Sequence, residues 1–253
     1  MNTMLALEQS TDVSSAAVMR GNALLSERSW TEAGTRHQKL FVTLPDLLKE
    51  ASVSADAIDR FAVGLGPGVF SGLRISLSTA RALALPGRRP VYGVSSGEAL
   101  AWDAFRKTGS PFITVVGDAR RRRFWYARFH LVDRTVAQLA PYSLIPADEL
   151  ASVLDRDVLV VTPHWDRIGK ELLKHKHKAT LLESTLAPTA RTVAERVLDR
   201  LARNQPTDAL QPIYMHPPVF VEPRVPQPPV SIPGPSYSPN TVSKSTVMRG
   251  LTA

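Results

Sequence analysis

A glycine turn, Gly66-Pro67-Gly68, stands between an apolar run from Phe61 to Leu65 and a helical segment from Phe70 to Leu85. In α/β proteins this junction is where phosphate can be cradled, because a helix N-terminus offers free amides and a partial positive charge. Gly66, Gly68 and Gly72 are the candidate phosphate loop. Five residues separate Gly66 from Gly72, and Leu73-Arg74 follows, whereas a P-loop needs four and then Lys with Ser or Thr. Pro67 also deletes one amide donor. The spacing therefore favours glycines that permit a tight βα turn.

Gly93-Val94-Ser95-Ser96-Gly97 satisfies Gly-x-Ser-x-Gly, the nucleophile turn of serine hydrolases. Such a serine needs a histidine and a carboxylate in support, and no Asp and His pair follows in a fitting context. Helix capping by Ser95 or Ser96 explains the residues without catalysis. His37 opens an amphipathic segment, and a helix-borne metal site would want a second ligand four residues on; that position is Phe41. His175 and His177 lie in a lysine-rich stretch that repels cations. No metal or cofactor is expected.

Arg120-Arg121-Arg122-Arg123 precedes Phe124-Trp125-Tyr126. A basic run beside aromatics suits RNA, with arginines on phosphates and rings under bases. A charged hairpin turn leading into an aromatic strand accounts for it equally well.

Elements must position these groups. The 253 residues, with a hydrophobic share of 43%, suffice for two modest lobes or one large domain and exclude a wholly disordered chain. No cysteine is present, which removes disulfides and thiolate metal sites and fits a reducing compartment. The first residues lack a basic stretch before Glu8, and no apolar run approaches bilayer length, so a cytoplasmic protein without a membrane span is expected. Lys and Arg total 31 against 23 Asp and Glu, which favours polyanions or acidic proteins as partners.

Met4 to Glu8, Ser14 to Arg20 and Ala23 to Trp30 read as strands, the last two joined at Gly21-Asn22. Thr35 to Ala51 reads as an amphipathic helix that Pro45 kinks or cuts. Strand Phe61–Leu65, helix Phe70–Leu85, strand Val91–Val94 and a helix to Arg106 follow, and this alternation implies a mixed sheet flanked by helices. Beyond Gly109 the style repeats with strands from Phe112, Arg123 and Thr135, helices over Ala147–Leu154, Asp166–Lys174 and Thr189–Arg203, and short strands between. The expected domains are 1–108, 109–216 and a proline-rich tail, 217–253, too poor in apolar residues to build a core.

The stretch Gly64-Leu65-Gly66-Pro67-Gly68-Val69-Phe70-Ser71-Gly72-Leu73-Arg74-Ile75, followed by Ser78-Thr79-Ala80-Arg81-Ala82-Leu83-Ala84, closely resembles the signature of the TsaB (YeaZ) family. Leu5-Ala6-Leu7, His37 with Leu44-Pro45, Gly93-Val94-Ser95-Ser96, Asp118-Ala119-Arg120 and Pro212-Ile213-Tyr214 extend the likeness over roughly residues 4 to 216. The resemblance implies two ribonuclease H-like lobes of the actin, sugar-kinase and heat-shock ATPase type, the second smaller and degenerate. It implies a non-catalytic partner of a TsaD-like transferase and a TsaE-like ATPase, acting on tRNA through that complex to form N6-threonylcarbamoyladenosine. Glu8-Gln9 stands where the family has Asp-Thr, and Thr162-Pro163-His164 replaces a glycine-and-aspartate turn, which favours a scaffold over a kinase-like or metallopeptidase-like enzyme.

The first two helices are the partner surface the resemblance implies, with His37, Leu40, Phe41, Leu44 and Leu48 on one and Leu73, Leu77, Ala80 and Ala84 on the other. An exposed apolar stripe needs a cover. The same helices are suited to pairing with themselves about a twofold axis, as a homodimer.

Overall fold

The computed structural model describes residues 2–32 and 39–216, and these belong to one compact unit. His37 and the tail 217–253 lie outside the described residues. The first sheet is built from β1 (Thr3–Glu8), β2 (Val13–Arg20), β3 (Ala23–Thr31), β4 (Arg60–Gly64) and β5 (Val91–Val94), in the order β3-β2-β1-β4-β5. β1, β2 and β3 are antiparallel neighbours, whereas β1, β4 and β5 run parallel. Gly21, at φ +56°, makes the tight turn between β2 and β3, a conformation that glycine adopts without steric cost.

The second sheet repeats this plan. β6 (Phe112–Asp118), β7 (Arg123–Val132) and β8 (Thr135–Gln138) form an antiparallel meander, while β10 (Leu159–Thr162) and β11 (Thr180–Thr185) follow in parallel, in the order β11-β10-β6-β7-β8. β9 (Ser143–Pro146) also pairs with β7. The single strand expected from Thr135 to Ile145 is thus two, interrupted around Pro141, which has no amide to give a ladder. Two sheets of the same strand order are the two ribonuclease H-like lobes.

Helices α1 (Lys39–Glu50) and α2 (Phe70–Ala84) cover one face of the first sheet in a shared apolar cluster with Leu5, Leu7, Val18, Phe61 and Val63. α5 (Ala190–Ala202) lies on its other face, packing Val193, Ala194 and Val197 against Met4, Ala6 and Ala62. A helix from the end of the chain therefore completes the first sheet. α3 (Ser96–Thr108) packs on the second sheet through Leu100, Ala101 and Ala104, and α4 (Trp165–Leu173) covers that sheet's opposite side through Ile168 and Leu172. The helix expected over Ala147–Leu154 is only a 3-10 stretch, Ala147–Ser152.

Pro45 does not cut α1, which is continuous from Lys39 to Glu50. Pro45 and Phe41, whose carbonyl loses its partner, are both on the exposed side, where water can take the bond. Among the described residues, no helix is long and apolar enough to cross a membrane.

Candidate docking face and closed cleft

Helical periodicity decides which side of α1 and α2 is available. Leu40, Leu44, Leu73, Leu77, Ala80 and Ala84 are each at most 8% exposed; all but Leu73, which packs by Gly66, belong to the cluster on their own sheet. This corrects the expectation that they present an apolar stripe to a partner: the stripe is already covered by β1, β2 and β4, because the sheet offers the larger apolar area. Leu48 is half-buried at the edge of the same cluster. Of the expected docking residues that are described, only Phe41 faces outward.

The outward side nonetheless carries large apolar groups. Phe41, Val42, Phe70 and Leu85 are 58, 75, 54 and 76% exposed. Such a collection on two neighbouring helices marks an interaction surface more strongly than any one exposed residue does. Phe70 is held in place: its ring lies 5.0 Å from that of Tyr214, and the Arg74 guanidinium sits 4.3 Å over it. Arg74 Nε also donates to the Tyr214 hydroxyl at 3.2 Å. The segment after α5 thus braces the start of α2, and Ile213 N–H donates to the Leu65 carbonyl at 2.8 Å.

Two amides of the candidate phosphate loop are bonded within the chain. Gly66 N–H donates to Ser96 Oγ at 2.9 Å, and Ser96 N–H returns a bond to the Gly66 carbonyl at 2.7 Å. Val69 N–H donates to the Ser10 carbonyl at 2.8 Å. A Cβ on Gly68 would come within 2.0 Å of that same carbonyl, so the glycine permits β1's turn to close on the loop. Gly66 adopts φ +90°, and Gly72 is buried inside α2. The three glycines serve close packing.

Beneath the loop lies Glu8, fully buried. Its Oε1 accepts the Ser10 N–H at 2.6 Å and its Oε2 accepts the Ser96 hydroxyl at 2.7 Å. Burial pushes its carboxyl above the ordinary glutamate range, against those hydrogen bonds. Gln9 beside it accepts from the Ser76 hydroxyl at 2.9 Å. Side chains at the positions where the resemblance places Asp-Thr are therefore spent on internal bonds.

Across the cleft, β6 and β10 deliver Asp118 and His164. His164 Nδ1 accepts the Asp118 N–H at 3.1 Å; burial first and the Arg167 charge second lower its pKa to about 4. Arg167, from α4, reaches Asp12 in the turn between β1 and β2 at 2.9 Å and Asp118 at 3.5 Å.

Ser95 caps α3: its Oγ accepts the Glu98 N–H at 3.1 Å and shares a 2.9 Å hydrogen bond with the Tyr142 hydroxyl. The described histidines with a ring contact are engaged elsewhere: His130 stacks on Phe112, His164 bonds Asp118 and His216 bonds the Ala119 carbonyl. Among the described residues no histidine contacts Ser95, so the nucleophile reading gains no support there. A hollow of about 710 Å³ opens beside it, between Leu139, Tyr142, Asp208 and Ile213.

Arg120 to Arg123 form the turn between β6 and β7 and are exposed. Two of the three aromatics that follow are not available as expected, because Phe124 and Trp125 are 6 and 3% exposed, on opposite faces of β7, while Tyr126 is half-buried. A period of two buries alternate rings on each side of a sheet covered on both faces.

Sequence reasoning missed the ion network between α3 and α5. Arg196, 1% exposed, donates to Glu98 at 3.1 Å and Asp199 at 3.3 Å, and its guanidinium lies 5.0 Å from the Trp102 ring. A charge every third or fourth residue in a helix reads as a solvated face, and only the Glu98 and Arg196 pairing across helices could have signalled otherwise.

The family described as tRNA N6-adenosine threonylcarbamoyltransferase, TsaD, matches residues 31–188. An uncharacterized protein of Mycobacterium tuberculosis is 33% identical over 138 residues, 54% of this chain and 63% of that protein. The tRNA threonylcarbamoyladenosine biosynthesis protein TsaB of Escherichia coli is 34% identical over 92 residues, 36% of this chain and 40% of that protein. The chain thus matches less than two thirds of the length of either relative. The solved structure of YeaZ from Pseudomonas aeruginosa superposes with a TM-score of 0.72 at 26% identity, covering 85% of this chain and 100% of that one. With the matching family spanning more than half of the chain, and with the likeness to TsaB in sequence and to YeaZ in fold, the chain belongs to the TsaB (YeaZ) branch of the TsaD family.

Proposed function

We propose that this chain is a non-catalytic docking subunit for a TsaD-like transferase in the formation of N6-threonylcarbamoyladenosine in tRNA, with a TsaE-like ATPase as a further component. The observation that carries the reading is the contrast between the two sides of the first lobe. On the cleft side the Gly66 amide bonds Ser96, Ser96 bonds Glu8, Glu8 bonds the Ser10 amide and the Val69 amide bonds the Ser10 carbonyl. On the outward side of α1 and at the end of α2, Phe41, Val42 and Leu85 stand uncovered. A chain whose Glu8 and Ser96 are bonded within the cleft while apolar groups stand uncovered on α1 and at the end of α2 is suited to holding a partner.

The partner is a TsaD-like protein, because that family's pattern runs through this chain and like folds offer like helix pairs to one another. A second copy of the chain competes for the same face as a homodimer. The test is reconstitution of tRNA modification with the TsaD-like protein, the TsaE-like ATPase and the enzyme that supplies the threonylcarbamoyl adenylate, with and without this chain. Omission abolishes or strongly reduces product if the reading holds; full activity without the chain defeats it.

A further inference from the structure

Arg120, Arg121 and Arg122 occupy consecutive left-handed positions, at φ 65°, 53° and 56°. A residue with a Cβ pays steric strain there that glycine does not. Glycine or asparagine would make the same turn more cheaply, so arginine at all three positions points to work done by the side chains. Arg120 is held by Asp118 at 3.4 Å, but Arg121, Arg122 and Arg123 have no ion-pair partner among the described residues. All are exposed, on a turn whose backbone is pinned by Ala119 N–H to the Arg123 carbonyl and by Ala147 N–H to the Arg122 carbonyl.

Beside this turn lies a hollow of mixed charge. Arg122 lines a hollow of about 420 Å³ together with Arg167 and Lys174, which lie at the two ends of α4. Asp118, Asp148 and Glu171 line it too, and Arg167 and Lys174 are paired with Asp118 and Glu171, at 3.5 and 2.7 Å. The free charge is therefore on the arginine turn, and the hollow's acids set its edge. Phe124 and Trp125 are buried, so no ring of theirs is available to stack on a base or enter a lipid layer.

We propose that the β6–β7 turn is a contact for RNA phosphates, made by Arg121, Arg122 and Arg123 on the chain's own surface, independent of base sequence. The choice of RNA among polyanions rests on the function proposed above; the charge geometry does not depend on it.

The test uses the full chain and a labelled, unmodified tRNA transcript, with anisotropy read between about 50 and 200 mM salt. Arg121→Gly with Arg122→Gly keeps the turn while removing two charges. Expected are a thermal midpoint that holds or rises, an affinity lower by about tenfold, and a slope of log K against log salt flatter by about 1 to 2. Arg20→Ser with Lys107→Ser, which removes the same charge elsewhere, keeps the wild-type slope. Unchanged affinity and slope in the glycine variant, an equal loss in the control, or no binding by the wild type at the low-salt end would overturn the proposal. Tighter capture by phosphatidylserine vesicles, lost in the same variant, would reassign the turn to a lipid surface. Elution of the glycine variant together with the TsaD-like protein separates the two readings, since RNA binding can then fail or hold while docking is intact.

Discussion

Arg167 joins Asp12 at 2.9 Å, and through this pair α4 of the second lobe holds the first turn of the first lobe. The same guanidinium contacts Asp118 at 3.5 Å, so three segments distant in sequence meet at the mouth of the cleft. Asp12 is 63% exposed, which makes the pair a positional tie worth less than about 1 kcal/mol. Arg167→Ala should therefore leave global stability nearly unchanged while speeding amide exchange in the turn that follows β1. Hydrogen exchange read by mass spectrometry checks this, and equal protection in both proteins would show that the tie is idle.

Outward and inward positions on the docking helices should separate cleanly. Phe41→Arg and Leu85→Arg keep a cooperative melt, because both side chains already face water, and lose co-elution with a TsaD-like protein. Leu77→Arg unfolds the first lobe, since it drives a charge into the cluster of Leu5, Val63 and Phe61. Gel filtration and circular dichroism on the three variants decide it; complexes that survive both outward changes remove this face from the interface.

His164 predicts a loss of stability on the acid side. Its folded pKa, lowered to about 4 by burial and then by Arg167, lies below the ordinary 6.5, so folding favours the neutral ring. Stability from this group is complete above pH 6.5 and falls as pH drops toward 4, by at most about 3 kcal/mol. His164→Asn, which can still accept the Asp118 N–H, should flatten that limb of the denaturation profile. Asp12, Asp118, Arg120 and Arg167 face the ring and are retained in the comparison.

Arg196 is buried against Glu98, Asp199 and Trp102, and removing it strips one counter-charge from Glu98, which keeps Arg200, and one from Asp199, which keeps Arg134 and Arg203. Arg196→Ala should cost about 2 to 3 kcal/mol in urea denaturation, the range for lost hydrogen bonds to charged groups, because the remaining arginines still compensate both carboxylates. Arg196→Ala combined with Glu98→Ala should cost clearly less than the sum of the two single changes.

Ser95→Ala removes the α3 cap and should cost about 1 kcal/mol, with tRNA modification in the reconstituted mixture preserved. Loss of product in a variant that melts normally would return Ser95 to the reacting groups.

By itself the sequence determined the order of strands and helices outside the stretch from Thr135 to Leu154, the glycine turn before α2, the cap on α3 and the family, because each is written in local periodicity, turn chemistry or a continuous motif. It could not say which side of α1 and α2 meets a partner. Leu44 and Leu77 read as a stripe in need of cover, and only the packed structure reveals that β1, β2 and β4 are the cover. Nor could it tell that Arg196 is interior while Arg122 is not, since both are arginines in polar company until residues nearly a hundred positions apart, such as Glu98 and Arg196, are brought within 3.1 Å. Burial and charge pairing are sums over neighbours distant along the chain, and those neighbours exist only once two like-ordered sheets have closed on α3 and α5.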